Sequence, residues 1–169
     1  MKTPTIEEVI SDFTLHDALG NSMLDKDWPK WIQEHNGRGF GPTVSYSWHV
    51  GSQRIEVLAR DKEVREILPD ATGFICFERD WRPDNCLLLD AFGKHRVRLA
   101  VPWQLTRPQN PESAKPPTSF TSVSAPYVNP ADGKPGEFGV TAWVELAGQY
   151  YFELDYHIGQ FLWGREIRG

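Results

Sequence analysis

The stretch TVSYSWHVGSQRIEVLA, residues 43–59, carries the pattern that decides the fold. Apolar side chains occupy alternate positions and polar side chains lie between them, which is the period of a β-strand with one buried face. Gly51-Ser52 interrupts the pattern and is typical of a two-residue hairpin turn. The stretch therefore predicts an antiparallel hairpin. Its buried positions are Val44, Tyr46, Trp48, Val50, Ile55, Val57 and Ala59.

The same alternation continues along the chain and predicts two meanders, over residues 43–101 and 138–167. Between them, residues 102–136 hold eight of the thirteen prolines. Because proline cannot donate a hydrogen bond to a sheet, we expect this segment to be a long excursion with one edge strand around Phe120 to Val123. Long ordered loops of this kind are usually functional or form interfaces.

The N-terminal segment, residues 1–37, instead shows helical spacing. A capping box at Thr5 and Glu8 precedes apolar residues three and four positions apart, which predicts a helix over residues 5–19. The apolar residues of this stripe are Ile6, Val9, Ile10 and Phe13. A second short helix is predicted over residues 24–34, with Asn36-Gly37 as its stop.

These elements predict an α+β protein that is mostly β. We expect the short helical N-terminus to pack on one antiparallel meander sheet of about six to eight strands, which curls into a half-barrel or a sandwich. At 169 residues the chain has the usual length of one domain, so we predict a single domain over residues 1–169.

The composition limits the possible partners. The formal net charge is -5, and acidic residues outnumber basic ones most clearly in residues 1–37. Proteins that bind nucleic acid need a clustered basic surface, so we expect no nucleic-acid partner. The sequence shows no signal-peptide stretch and no apolar run of the roughly 18 residues that cross a membrane, so we predict a cytoplasmic protein without membrane contact.

No motif in the chain names a reaction, so we predict no catalytic residue, no metal site, no cofactor and a non-enzymatic role. The five histidines lack the paired spacing of zinc ligands, although His49 and His157 lie beside predicted hairpins and are the first to check. Cys76 and Cys86 fall inside predicted strands, where we expect two reduced, partly buried thiols. The glycine-rich loop at residues 37–42 runs from a helix into a strand, opposite to nucleotide-binding loops, so we interpret it as a connector rather than an anion site at Arg38.

Two aromatic loops are the best candidates for recognition. Tryptophan, tyrosine and arginine dominate the energetics of protein interfaces, and proline-rich loops lose little entropy on binding. The hairpin tip at residues 80–85 and the proline-rich excursion both carry such residues. The predicted partner-binding residues are Trp81, Arg82, Asp84, Trp103 and Tyr127.

The leading hypothesis is a protein-binding module whose partner is basic. Small acidic antitoxin or immunity proteins that neutralise basic nuclease toxins fit this physical description. The alternative is a small-molecule-binding barrel or cup, which includes an enzyme of unknown reaction, with inward aromatic side chains around a cavity. Those aromatic residues are Tyr46, Trp48, Tyr150, Phe152 and Trp163. A structural subunit of a larger assembly is a third hypothesis, and the sequence leaves the oligomeric state open.

Overall fold

The computed structural model describes residues 9–34, 40–60 and 63–167, and these residues form a nearly all-β protein. They contain twelve strands, one seven-residue α-helix and three short 3-10 helices. The helix α1 spans Trp28–Glu34. The strands are β1 (Ile10–Asp17), β2 (Ser22–Leu24), β3 (Thr43–Val50), β4 (Gln53–Leu58), β5 (Glu63–Ile67), β6 (Gly73–Glu78), β7 (Cys86–Asp90), β8 (His95–Leu99), β9 (Ser119–Ser124), β10 (Gly139–Val144), β11 (Gly148–Asp155) and β12 (Gln160–Glu166).

The strands form three separate four-stranded antiparallel sheets rather than one. The first sheet has the order β2-β1-β3-β4, the second β5-β6-β7-β8 and the third β12-β11-β10-β9. The predicted α+β class, with an N-terminal helix on a single meander sheet, is therefore wrong. Alternation fixes which face of each strand is buried, but it does not determine which strands pair, because every strand has the same period. The predicted meander over residues 43–101 is accordingly divided between the first and second sheets.

The structure has no helix in the described part of the range 5–19, where a helix was predicted, and Ile10–Asp17 form the strand β1 instead. In β1, Asp12 and Phe13 together lie opposite the single residue Trp48 of β3, which is a β-bulge. Asp12 has the left-handed φ of 54° at this point. The extra residue brings Ile10 and Phe13 onto the same buried face three positions apart, and this is also the spacing of a helical turn.

The helix α1 lies inside the range 24–34 in which the second helix was predicted. It follows a short 3-10 helix at Asp25–Asp27. The predicted stop at residues 36–37 and the predicted capping box at residues 5–8 lie outside the described residues. The same is true of residues 37–39 of the glycine-rich loop, and hence of Arg38.

The hairpin predicted from residues 43–59 is confirmed. Strands β3 and β4 pair from Ser45 with Leu58 to Val50 with Gln53, and Gly51 takes the positive φ of 60° in the turn between them. Trp48 of β3 is fully buried. Its indole N–H donates to the carbonyl oxygen of Ala91 at 2.7 Å, so the polar atom of this core side chain has a partner.

The chain divides into two compact units. The first comprises the described residues up to Glu63 together with residues 67–74 and 90–94, and its core holds Phe13, Trp48 and Phe74. The second comprises residues 64–66 and 75–89 and the described residues from His95 onward. The prediction that the chain is a single domain remains a prediction.

The third sheet belongs to the second unit and contains the second predicted meander, β10 to β12. Strand β9 adds the edge strand that was predicted around Phe120 to Val123, and this prediction is confirmed. The rings of Phe120 in β9 and Phe161 in β12 stack at 5.6 Å, although these strands are the two edges of the sheet. The sheet is therefore strongly curled over this apolar face.

The opposite face of the third sheet is covered by the proline-rich excursion. Tyr151 and Glu153 of β11 are buried there, and the tyrosine hydroxyl donates to Glu153 Oε1 at 2.5 Å. The backbone N–H of Glu137, the residue that follows the excursion, donates to Glu153 Oε2 at 2.7 Å, which ties the end of the excursion to the sheet. Burial and the bond to Glu153 raise the pKa of Tyr151, so its hydroxyl stays protonated and acts as a donor.

Candidate functional site

The candidate site is built around the loop of residues 79–84, which connects β6 to β7. The backbone N–H of Glu78 donates to the carbonyl oxygen of Asn85 at 2.8 Å and closes the hairpin below the loop. Trp81 stands at the tip, and 70% of its surface is exposed. Most of this large aromatic side chain therefore lies in solvent rather than in the core.

Arginine side chains hold this loop in place. Glu78 accepts from Arg98 at 2.5 Å and from Arg82 at 2.9 Å, and its side chain is only 17% exposed. Arg98 also donates to the carbonyl oxygen of Asp84 at 2.9 Å, and its bond to Glu78 raises the arginine pKa. Arg82 lies 3.3 Å from Asp80 as well. Both ends of the loop are thereby fixed to β8, so Trp81 is presented on a supported frame.

Asn85 joins the hairpin to β9. Its side-chain oxygen accepts from the backbone N–H of Phe120 at 2.8 Å, and its Nδ2 donates to the carbonyl oxygen of Phe120 at 3.0 Å. The same Nδ2 donates to the carbonyl oxygen of Glu78 at 2.8 Å. The side-chain amide thus pairs with Phe120 as a neighbouring strand would, and it is only 2% exposed.

A groove of about 250 Å³ lies between the loop and β9, within the second unit. Phe77, Trp81 and Phe120 give it an aromatic wall, and the other six lining residues are polar or charged. The remaining lining residues are Glu78, Arg79, Asp80, Asn85, Ser119 and Thr121. The volume is below the roughly 300 to 1,000 Å³ of typical small-molecule sites, so the groove fits one or two side chains of a partner better than a metabolite.

The charges around this groove are balanced. Three arginines and three carboxylates lie in it or contact its residues, and most of them are paired with one another. They are Arg79, Arg82, Arg98, Glu78, Asp80 and Asp84. The groove therefore has no local charge that would select a strongly charged side chain, and its aromatic wall favours an apolar one.

The five predicted partner-binding residues are only partly brought together. Trp81, Arg82 and Asp84 share the loop described above. The amide of Val101 donates to the carbonyl oxygen of Pro83 at 2.8 Å, which places the half-buried Trp103 in a turn that begins next to that loop. Tyr127 has another environment, because its ring packs against Tyr151 at 5.0 Å and helps to cover the third sheet. The role of these residues in binding remains a prediction.

Sequence reasoning missed two residues that shape the groove and one exposed tryptophan outside it. Asn85 and Phe120 are 35 positions apart, and neither stands in a motif that indicates their contact. Trp143, which is 38% exposed, was also not singled out, and its indole N–H lies 3.4 Å from Glu145 Oε2. An exposed tryptophan in an alternating strand is the signal that could have identified this residue.

The alternative hypothesis, a small-molecule-binding barrel or cup, placed five aromatic side chains around one cavity. The described structure does not arrange them in this way. Tyr150 and Phe152 stack on one face of the third sheet at 5.7 Å. Trp163 lies on the opposite face, where its ring contacts Tyr151 at 5.4 Å. In the first unit, Trp48 is buried against Phe74 at 4.7 Å and fills the core. These side chains have structural roles in the described parts of the chain.

The surroundings of His49, Cys76 and Cys86 are typical of side chains with a structural role. In the described ranges no group of three or more His, Cys, Asp and Glu side chains is arranged to hold a metal ion. His49 Nδ1 lies 3.6 Å from a carboxylate oxygen of Asp12. Cys76 and Cys86 are buried and are not joined in a disulfide, and burial together with the neighbouring Cys76 raises the pKa of the Cys86 thiol. A thiol of raised pKa is a poor nucleophile at neutral pH.

A second, smaller groove of about 140 Å³ lies in the first unit. Phe13, Leu24 and Ile67 contribute apolar surface, and Asp12 and Asp25 contribute carboxylates. Partial burial raises the pKa of Asp25. The described residues that line this groove include no exposed aromatic side chain like Trp81, so it is the weaker candidate.

The fold is that of a nearly all-β chain with three four-stranded sheets. Comparison with solved structures finds a chain of similar fold. A chain of the structure of Tne2 in complex with Tni2 matches with a TM-score of 0.62 at 14% sequence identity. The match covers 94% of the present chain and 99% of that chain. At this identity the likeness shows a shared fold.

Comparisons by sequence give no family. No family model matches the chain, and no curated protein matches it. Within the described residues, none of the helical segments has the length and apolar character needed to span a membrane.

Proposed function

We propose that the chain is a non-enzymatic protein-binding module that binds a basic protein partner through the Trp81 groove. In this role it would resemble acidic immunity or antitoxin proteins, which neutralise a basic partner. The observation that carries the proposal is Trp81 itself, 70% exposed on a loop fixed by Arg82 and Arg98 beside an aromatic groove. A tryptophan held in position before binding loses little entropy on association, which is the property of an interface hot spot.

Two further observations support a protein partner. The solved chain with a similar fold belongs to a complex of two proteins, Tne2 and Tni2. The groove is also smaller than a typical metabolite site, which favours an inserted side chain over a small molecule. Because the charges around the groove cancel, the proposal that the partner is basic rests on the net charge of -5 of the whole chain.

The test is a capture experiment with an internal control. The full chain, its Trp81→Ala variant and its Trp143→Ala variant are immobilised, and proteins retained from cell lysate are identified and their affinities measured. We expect a partner whose affinity falls by about 30-fold or more with Trp81→Ala, the effect of a hot spot of about 2 kcal/mol. The Trp143→Ala control removes the same residue type at another exposed position and should retain the partner.

The basic character of the partner is tested by ionic strength. Association of an acidic protein with a basic partner is steered by long-range charge, so the association rate should fall as salt is raised while the dissociation rate changes less. Repeated recovery of no partner in moderate salt, or a partner that Trp81→Ala binds equally well, would contradict the proposed function. A partner whose association rate does not depend on salt would contradict only the basic character.

A further inference from the structure

We propose that the partner docks by strand addition, with an extended segment that pairs with the free edge of β9 and places an apolar side chain in the Trp81 groove. This inference rests on the proposed function and specifies how the same site is used. It follows from the edge properties of the sheets, from the contact that Asn85 makes with β9, and from the shape and charge of the groove.

Strand β9 differs from the other sheet edges. Edge strands of soluble proteins are usually protected by charged side chains, by proline, by short length or by a β-bulge, and β9 has only the bulge. Among the six edge strands in the described residues, β9 is the only one longer than three residues that has no charged residue and no histidine. Its sequence is SFTSVS, whereas β4, β5, β8 and β12 all carry arginine, and β2 has only three residues.

The edge of β9 already accepts a strand-like partner at one position. The side-chain amide of Asn85 bonds both the N–H and the carbonyl oxygen of Phe120, at 2.8 and 3.0 Å. Beyond Phe120, residues 121–124 have no neighbouring strand on this edge in the described chain. Thr121 and Ser122 are exposed, and the register with β10 shifts between Phe120 and Ser122, which leaves Thr121 as the extra residue of a β-bulge.

The groove continues from this edge. Ser119, Phe120 and Thr121 of β9 line the groove together with Trp81, so a chain that pairs with residues 121–124 reaches the groove at Thr121. Because successive side chains of a strand point to opposite faces, one residue of the added segment can enter the groove while its backbone pairs with β9. The balanced charge and aromatic wall indicate that this residue is a large apolar one.

A second copy of the chain is a poorer occupant than a different protein. Two copies that paired through β9 would bring together the exposed hydroxyl side chains of Thr121 and Ser122. Hydroxyls do not fill an aromatic groove, so the surface of Trp81 would stay uncovered. The occupant that satisfies both the edge and the groove is an extended segment of another protein that carries a large apolar side chain.

Linear random peptides displayed on phage provide the test, with selection against the full chain and counter-selection against its Trp81→Ala variant. We expect the selected peptides to share one large apolar residue within a segment of high β propensity. Methylation of single backbone nitrogens should weaken binding about three- to tenfold at every second position, which is the effect of losing one hydrogen bond. On binding, amide hydrogen exchange should slow within residues 121–124 and stay unchanged in β12, the opposite edge of the same sheet.

The outcomes separate the two proposals. Peptides that depend on Trp81 but leave exchange in residues 121–124 unchanged, or that tolerate methylation at all positions, would overturn strand addition and leave the proposed function standing. A selection that yields no Trp81-dependent peptide would contradict both. Slow exchange of residues 121–124 in the free protein, together with a dimer on size-exclusion chromatography, would assign the edge to a second copy and overturn the inference.

Discussion

Asn85 is the residue on which the candidate groove most depends. Its side chain lies between the β6–β7 hairpin and β9 and makes three hydrogen bonds to backbone atoms. Aspartate has nearly the same shape but no donor, and at neutral pH its charge would face the carbonyl oxygens of Glu78 and Phe120. The position therefore requires an amide, and this requirement can be tested.

We expect Asn85→Ala to lower the free energy of unfolding by about 2 to 4 kcal/mol, because it leaves buried backbone groups without partners. Asn85→Asp should cost at least as much at neutral pH and should recover part of the loss in acid, where a protonated carboxyl regains one donor. Denaturant unfolding followed by fluorescence measures both. Gln104→Ala, at an exposed position, is the control and should change the stability by about 0.5 kcal/mol or less. Equal stability of Asn85→Asp and the wild type would disprove the role assigned to the amide.

Asp17 gives a second residue-scale prediction, concerning pH. Burial alone would raise the pKa of Asp17, but hydrogen bonds from Asn21, Gly41 and Leu19 outweigh this effect and hold the pKa below its ordinary value of 3.8. A carboxyl whose pKa is lowered on folding stabilises the native state above its unfolded pKa. That contribution is lost as the pH falls through the lower, folded value.

Asp17→Asn should therefore lower the melting temperature at pH 7. Its stability should also fall less steeply than that of the wild type between about pH 5 and pH 2, because it has no carboxyl to protonate at this position. Thermal unfolding across this pH range is the measurement. Asp132→Asn, on an exposed loop, removes the same charge and is the control. Parallel curves for Asp17→Asn and the wild type would show that the carboxylate does not contribute in this way.

At the scale of elements, the packing of Tyr151 against the third sheet explains why β10 has a glycine at position 139. The excursion covers Tyr151 and Glu153 on one face, and the tyrosine ring crosses β10 at Gly139. A Cβ atom at position 139 would lie 2.2 Å from Tyr151 Cζ, closer than any side chain tolerates. The glycine is therefore required by packing across the sheet, since its φ is not in the left-handed region.

We expect Gly139→Ala to destabilise the protein by about 1 to 3 kcal/mol, the usual cost of inserting an atom into a packed region. The damage should be local, so amide exchange should accelerate first in residues 125–138, which lie over Tyr151. Thr141→Ala, on the same face of the same strand, deletes atoms instead of adding them and provides the comparison. Wild-type stability of Gly139→Ala would mean that Tyr151 has an alternative position.

The elements also show what the sequence can and cannot predict. Alternation placed β3, β4 and β10 to β12 correctly along the chain, because a glycine turn separates each neighbouring pair of these strands. It did not give every buried face: Val44 is 43% exposed, and a register shift in β12 places Phe161 and Trp163 on opposite faces of the sheet. The same method assigned β1 to a helix, since the bulge at Asp12 changes the spacing of its buried residues. It also could not divide the strands among three sheets, because pairing depends on contacts that local periodicity does not encode.

At the scale of the whole molecule, the candidate site combines what was predictable with what was not. Trp81 was predicted as a recognition residue from its type and its place in a hairpin loop, and the structure places it at an exposed tip. The groove beside it requires β9, which follows β7 in sequence by about thirty residues and is held by Asn85. Long-range contacts of this kind are set by tertiary packing, and no local pattern reports them.

The bulge in β1 also affects how relatives of this chain can be found. A homologous strand without the extra residue would keep the same buried side chains but would be one position shorter near Asp12. Aligning the two sequences would then require a single gap inside a strand, where alignment methods penalise gaps most. An alignment that misses this gap places every buried position N-terminal to it out of phase. Searches for relatives should therefore allow a deletion at this point and compare the two halves of β1 separately.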